Sequence, residues 1–118
     1  MFVKTLKFIY EAVPGVKLLA IFDKDGIVVG KFEPKDRRAD DIAAEFSSVL
    51  KYIDKVTTFL VTGKMEKMFI DCYEESFYLH KINEFYYFLA VLDENTILGK
   101  LKYVVGSLKH KFKKELDV

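Results

Sequence analysis

A chain of 118 residues with 51% hydrophobic and 31% charged residues is one globular domain over 1–118, long enough for a real core and unlike a disordered tail. A net charge of +1, without a strongly basic block, excludes a generic nucleic-acid footprint. No run approaches the ~20 apolar residues that span a bilayer, and the N-terminus alternates apolar and charged residues where a signal peptide would be uniformly apolar. The single cysteine, Cys72, excludes an intramolecular disulfide and points to a cytoplasmic setting.

Residues 2–12 carry Phe2, Leu6, Ile9 and Tyr10, with Val13 beyond them, in the pattern of a short amphipathic helix that Pro14-Gly15 stops. Val16 to Phe22 reads as a strand. Asp23-Lys24-Asp25-Gly26 reads as a tight hairpin turn, and Ile27 to Phe32 as the returning strand. After a loop at Pro34 to Asp36, a second helix begins at an N-cap between Asp36 and Asp40 and runs to about Lys55. Ile42, Phe46, Val49, Leu50 and Ile53 form its apolar stripe. Ala43, Ala44, Ser47 and Ser48 form a face of small residues, which fits either the close approach of another helix or plain surface filling.

Val56 to Gly63 is expected to be an extended connection, because Thr57, Thr58, Phe59, Leu60, Val61 and Thr62 have strand character while Gly63 cuts the run off from the next strand. Strands follow at Lys64–Tyr73, Phe77–Ile82 and Phe85–Leu92. The last is apolar on both faces and therefore belongs in the middle of a covered sheet. Asp93-Glu94-Asn95-Thr96 breaks the pattern. Ile97, Leu98, Leu101, Val104, Val105, Leu108 and Phe112 then mark one face of a helix that folds back on the sheet. Lys109, Lys111, Lys113 and Lys114 read as its solvated last turns, where cations suit the macrodipole. The order α-β-β-α-β-β-β-α predicts an α/β sandwich, a five-stranded mostly antiparallel sheet with helices on both faces.

The most chemical-looking motif is the apolar strand ending in Asp23-Lys24-Asp25-Gly26. It resembles the first motif of the haloacid-dehalogenase phosphatases, in which the first aspartate is the nucleophile and the second the acid/base. Leu60-Val61-Thr62-Gly63 resembles that family's second motif, and Lys64 or Lys67 would be its lysine. Against this, the strand resumes at once as in a hairpin, leaving no room for the crossover helix a parallel sheet needs. As a calcium loop the stretch would place Ile21 and Phe32 at ligand positions, and neither is an oxygen donor. His80 and His110 match no metal spacing, and His80 reads as a packed or partly exposed strand residue. Cys72 reads as a small buried hydrophobe. No catalytic residue, metal or cofactor is expected. The two arginines, Arg37 and Arg38, stand side by side before the second helix. They read as a solvated or ion-paired loop, or as a partner contact exploiting the planar guanidinium.

Several phrases then fall in register: Val13-Pro14-Gly15-Val16 before the first strand, the Asp25-Gly26 hairpin, and Leu89-Ala90-Val91-Leu92 followed by Ile97-Leu98-Gly99-Lys100-Leu101. Together they resemble the roadblock family, which includes dynein light chains, Ragulator subunits and the MglB-like proteins of prokaryotes. The resemblance covers nearly the whole chain. It implies a roadblock/profilin-like fold and a non-enzymatic homodimer, or a heterodimer with a paralogue, joined through the second helix and third strand. The implied dimer contacts are Ala43, Ala44, Ser47, Lys51, Met65, Lys67, Met68, Phe69, Ile70 and Asp71. The paired helices would engage a small Ras-like GTPase, and could stimulate its hydrolysis of GTP; the contact is expected near Asp41, Glu45 and Ser48, together with Arg37 and Arg38, which match no motif of the family. A sensor of PAS or GAF type is the alternative binding module; it needs a pocket against the sheet, where the last strand's aromatics leave little room.

Overall fold

The computed structural model describes residues 2–116. In chain order the elements are α1 (Val3–Ala12), β1 (Val16–Asp23), β2 (Val28–Phe32), α2 (Ala39–Leu60), β3 (Lys67–Asp71), β4 (Ser76–Lys81), β5 (Tyr86–Leu92) and α3 (Leu98–Leu116). The strands form one sheet in the order β2-β1-β5-β4-β3, and every neighbouring pair is antiparallel. The doubly apolar β5 takes the central place, between β1 and β4.

Alternation along the strands divides the core in two. Leu19, Ile21, Tyr78, Phe88, Ala90 and Leu92 face α1 and α3, where Leu6, Ile9, Leu101, Val105 and Phe112 cover them. Phe112 lies 6.5 Å from Phe2 and 5.7 Å from Phe88, ring centre to ring centre, and so ties the end of α3 to both α1 and the sheet. Leu18, Ala20, Phe22, Leu79, Leu89 and Val91 face the other way, under Ala39, Ala43 and Leu50 of α2. Each buried Leu, Ile or Phe contributes roughly 1.5–3 kcal/mol, so both faces of the sheet are committed to packing. Among the described residues no helix is long and apolar enough to cross a membrane.

Three expectations are corrected. The second helix does not stop near Lys55 but continues to Leu60, through the stretch expected to be extended. The helical phase wins because Ile53 and Thr57 stay on the side of Leu50, partly buried, which a strand would not allow. Its start is not capped by Asp36 or Asp40: the Ala39 N–H donates to Glu33 Oε2 at 3.1 Å, and Asp36 is held by Arg38. Cys72 is exposed and not buried, because β3 ends one residue earlier and the Cys72 N–H closes the turn onto the Glu75 carbonyl at 3.0 Å.

Candidate protein-interaction surface

The β3 strand is one of the two edges of the sheet, β2 being the other: it pairs with β4 on one side and with no described strand on the other. Met68 stands opposite Leu79 and is half-buried towards α2, whereas Lys67 and Phe69 stand opposite His80 and Tyr78 on the side of α1 and α3. Ile70 is half-buried on the Met68 side, Asp71 is exposed, and Met65 packs against the α2 core just ahead of the strand.

The α2 helix carries a second apolar stripe. Val49, Tyr52, Val56, Phe59 and Leu60 recur at helical spacing and are exposed, Tyr52 by 67% and Phe59 by 84%. Val61 continues the patch at 87% exposed. The stripe lies on the β3 flank of α2, since Phe46 on the adjoining side of the helix packs 5.2 Å from Phe77 of β4. An exposed apolar helix stripe and an unpaired edge strand are each features that isolated domains avoid.

The small residues lie on the opposite flank. Ala43 is fully buried and Ser47 nearly so, at 6% exposed. A Cβ added at Gly26 would stand 2.9 Å from Ser47 Oγ and 3.1 Å from Ala44 Cα. Lys51 Nζ lies 3.7 Å from Asp25 Oδ1 in the same region. The closeness that small side chains permit is therefore used by the chain's own β1–β2 turn. Ala44, Ser48 and Lys51 remain exposed, but Ala43 and Ser47 are inside the protomer.

The Asp23 motif is a turn. Asp23 Oδ1 accepts the Asp25 and Ile27 N–H groups at 2.9 and 3.0 Å, and β2 pairs antiparallel with β1 directly after it. The all-antiparallel sheet lacks the crossover that a haloacid-dehalogenase site needs, so the phosphatase reading is set aside.

Arg37 and Arg38 part company. Arg37 is exposed and makes no ion pair among the described residues. Arg38 bridges Asp36 and Glu75, and Lys17 Nζ reaches Glu75 Oε1 at 2.6 Å. The Arg38 guanidinium, through its hydrogen bonds, holds the Glu75 carboxyl down at about 2 against the opposing effect of burial. Arg38 is therefore a clamp between α2 and the β3–β4 turn. Asp41, Glu45 and Ser48 are exposed along the first half of α2.

His80 is buried beside an open cavity of about 440 Å³ lined by Lys64, Lys67, Lys81, Asn83 and Lys109 among others. Burial, reinforced by Lys109 and Lys67, pushes its imidazole down to about 4. Tyr78 Oη lies 3.1 Å from its Nδ1, leaving it a packed, neutral strand residue at neutral pH.

The apolar stripe of Tyr52, Val56 and Phe59 is the feature that sequence reasoning missed. Its signal was present in the i, i+4, i+7 spacing, but only a helix running past Lys55 makes that spacing meaningful.

This arrangement has close counterparts. A Roadblock/LC7 domain from Streptomyces avermitilis superposes with a TM-score of 0.85 at 14% identity, over 96% of this chain and 95% of that one. MglB of Myxococcus xanthus gives 0.85 at 12% identity, over 98% and 97%. The gliding protein MglB of Thermus thermophilus gives 0.81 at 18% identity, over 91% and 82%. No curated protein sequence matches the chain. At these identities the structures speak for the fold, and the family itself is given by the Roadblock/LC7 domain model, which matches residues 6–93. The chain belongs to the Roadblock/LC7 domain family.

Proposed function

We propose that this protein is a non-enzymatic scaffold or regulator that acts as a dimer and engages a small Ras-like GTPase. Two observations carry the reading: the exposed stripe Val49, Tyr52, Val56, Phe59 and Leu60 on α2, and the unpaired edge of β3. A second copy would cover both at once: β3 would pair with its counterpart, and the two α2 helices would close over the seam. Met65, Lys67, Met68, Phe69, Ile70 and Asp71 then fall at or beside the junction. Of the helix residues expected there, Ala44 and Lys51 are exposed on the flank of α2 opposite the stripe, and Ala43 and Ser47 are inside the protomer, so the seam proposed here does not use them. The exposed first half of α2, with Arg37, Asp41, Glu45 and Ser48, is left as the platform for the GTPase, with Arg38 holding it in position. Stimulation of GTP hydrolysis would come from ordering the partner's own residues.

Light scattering after size-exclusion chromatography tests the dimer, at about tens of micromolar where mass action favours association. The wild type is expected to run as a dimer, and Tyr52→Asp with Phe59→Asp, or Phe69→Asp at the strand, to run as folded monomers. A wild-type monomer, or a dimer indifferent to all three changes, overturns the reading. For the partner, Ras-like GTPases are loaded with GDP or a slowly hydrolysed GTP analogue and captured on the immobilised dimer. Nucleotide-dependent capture lost in Asp41→Lys with Glu45→Lys is the expected result.

A further inference from the structure

We infer that the outer surface of α1 and α3 docks onto an anionic lipid bilayer surface. The two faces of the sheet differ in charge. Together α1 and α3 carry eight lysines (Lys4, Lys7, Lys100, Lys102, Lys109, Lys111, Lys113 and Lys114) against two acidic residues, Glu11 and Glu115. The rest of the chain has eleven cationic and sixteen acidic residues. A net charge of +1 therefore conceals a strongly basic face and an acidic remainder.

The pairing of these charges differs as well. Five lysines elsewhere, Lys17, Lys31, Lys51, Lys64 and Lys81, are held in ion pairs. None of the eight on α1 and α3 has such a partner among the described residues, and all but the half-buried Lys109 are exposed. Along α3, Lys100 and Lys111 flank one side of the outer crest and Lys102 and Lys113 the other, with exposed Tyr103 between the two rows. Exposed Val3 and Phe8 sit among the lysines of α1, and exposed Ile97 precedes α3.

The chemistry selects the occupant. Both arginines lie off this face, so the bidentate forks that read phosphates and bases one by one are missing. The apolar residues are scattered singly and form no central patch that could anchor a protein partner. Lysines interleaved with single aliphatic and aromatic side chains, on a broad two-helix layer, suit a diffuse anionic plane into whose boundary those side chains dip. The protein measures 39 × 36 × 25 Å, a slab whose broad side this layer can present. The inference stands on one protomer and deepens the dimer reading. Pairing through α2 and β3 would put both basic faces on the same side of a continuous sheet, leaving α2 facing away from the lipid.

Co-sedimentation with vesicles tests it. Phosphatidylcholine vesicles are compared with vesicles containing about one-third phosphatidylglycerol, at roughly 50 mM and 500 mM NaCl to vary screening. The intact protein is expected to pellet at least ~10-fold more on the anionic vesicles at low salt and to be released at high salt. Lys100→Glu, Lys102→Glu, Lys111→Glu and Lys114→Glu combined should abolish this, whereas the same positions changed to arginine, or Lys35→Glu with Lys55→Glu off this face, should not. Equal pelleting on neutral vesicles, or binding indifferent to the α3 reversal, overturns the inference. So does salt-sensitive binding of a DNA duplex without vesicle binding. Light scattering on the same variants keeps the dimer question separate: unchanged mass with lost vesicle binding implicates the lipid surface alone.

Discussion

Arg38 Nη2 lies 2.8 Å from Glu75 Oε1, joining the residue that precedes α2 to the turn between β3 and β4. The same guanidinium bonds Asp36 at 2.8 and 2.6 Å, so one side chain fixes a loop, a helix start and a hairpin. The group is half exposed, and solvent screening limits its worth. Arg38→Ala is expected to cost about 1–2 kcal/mol, because it also leaves two carboxylates facing each other. Arg38→Lys should recover less than half, since an ammonium cannot serve both partners in the same plane. Urea denaturation of the three proteins decides it; an Arg38→Ala protein as stable as wild type would mean that the cluster is ornamental.

Acid should unfold this protein in two separable stages. Burial holds His80 down to about 4, so the unfolded chain binds its proton at a higher pH than the native one does. The stabilisation from a neutral His80 is complete above about pH 6.5 and is lost as pH falls through about 4, roughly 3 kcal/mol in all. Glu75, held at about 2 by Arg38, loses its contribution only below about pH 4.5. Lys67, Lys109 and Glu66 face the imidazole, and the two lysines outweigh the glutamate. His80→Gln should flatten the melting temperature between pH 6.5 and 4.5 while leaving the lower stage intact. Glu75→Gln should do the reverse. Parallel curves for His80→Gln and wild type would show that the histidine is not the titrating group.

Much of the fold was legible because its signals were redundant. The doubly apolar Phe85–Leu92 run demanded a central strand, and the turn residues Asp23 to Gly26 announced a hairpin. The end of α2 was not legible, because the β-branched Thr57, Thr58, Val61 and Thr62 favour a strand locally. What decides for a helix is Thr57 packing on the side of Leu50 and Ile53, a tertiary fact. The surface was harder still. Small side chains at Ala43, Ala44 and Ser47 announce that something comes close, but not whether it is another chain or the protein's own Gly26. Nor does a sequence reveal that Arg38 will find Glu75, 37 positions away.

Two glycines should prove irreplaceable to different degrees. Gly15 has φ +91°, and an added Cβ would collide with Asp93 Oδ1 and Thr96 Oγ1 and stand 2.8 Å from the Thr96 backbone nitrogen. Gly26 has φ +85°, and its nearest obstacle is the Ser47 hydroxyl at 2.9 Å. Gly15→Ala should cost roughly 3–4 kcal/mol, since backbone must move, and Gly26→Ala about 2 kcal/mol. Ser47→Gly added to Gly26→Ala should return part of that loss and give a non-additive cycle. Strict additivity would place the cost in the backbone torsion alone.

The last prediction concerns the end of α2, where Val61 takes φ 57° and ψ 44°, the left-handed conformation that suits glycine and strains a β-branched residue. The cap itself is well made: the Thr62 N–H donates to the Thr57 carbonyl at 3.2 Å and the Val61 N–H to that of Thr58 at 3.2 Å. With its side chain almost wholly exposed, Val61 gains nothing from packing inside the protomer that would offset the strain. Val61→Gly should therefore stabilise the isolated protomer by about 1 kcal/mol, the relief of the torsion exceeding the added freedom of the unfolded chain. If the valine is retained for the dimer seam, the same change should weaken association. Denaturation is best followed in a Tyr52→Asp, Phe59→Asp background, where the folding term is free of dimerisation, with dimer dissociation measured separately for Val61→Gly alone. A more stable protomer with a weaker dimer would assign the strain to association. A more stable protomer with an unchanged dimer would leave Val61 outside the seam, and a destabilised protomer would show that the valine packs where the structure leaves it bare.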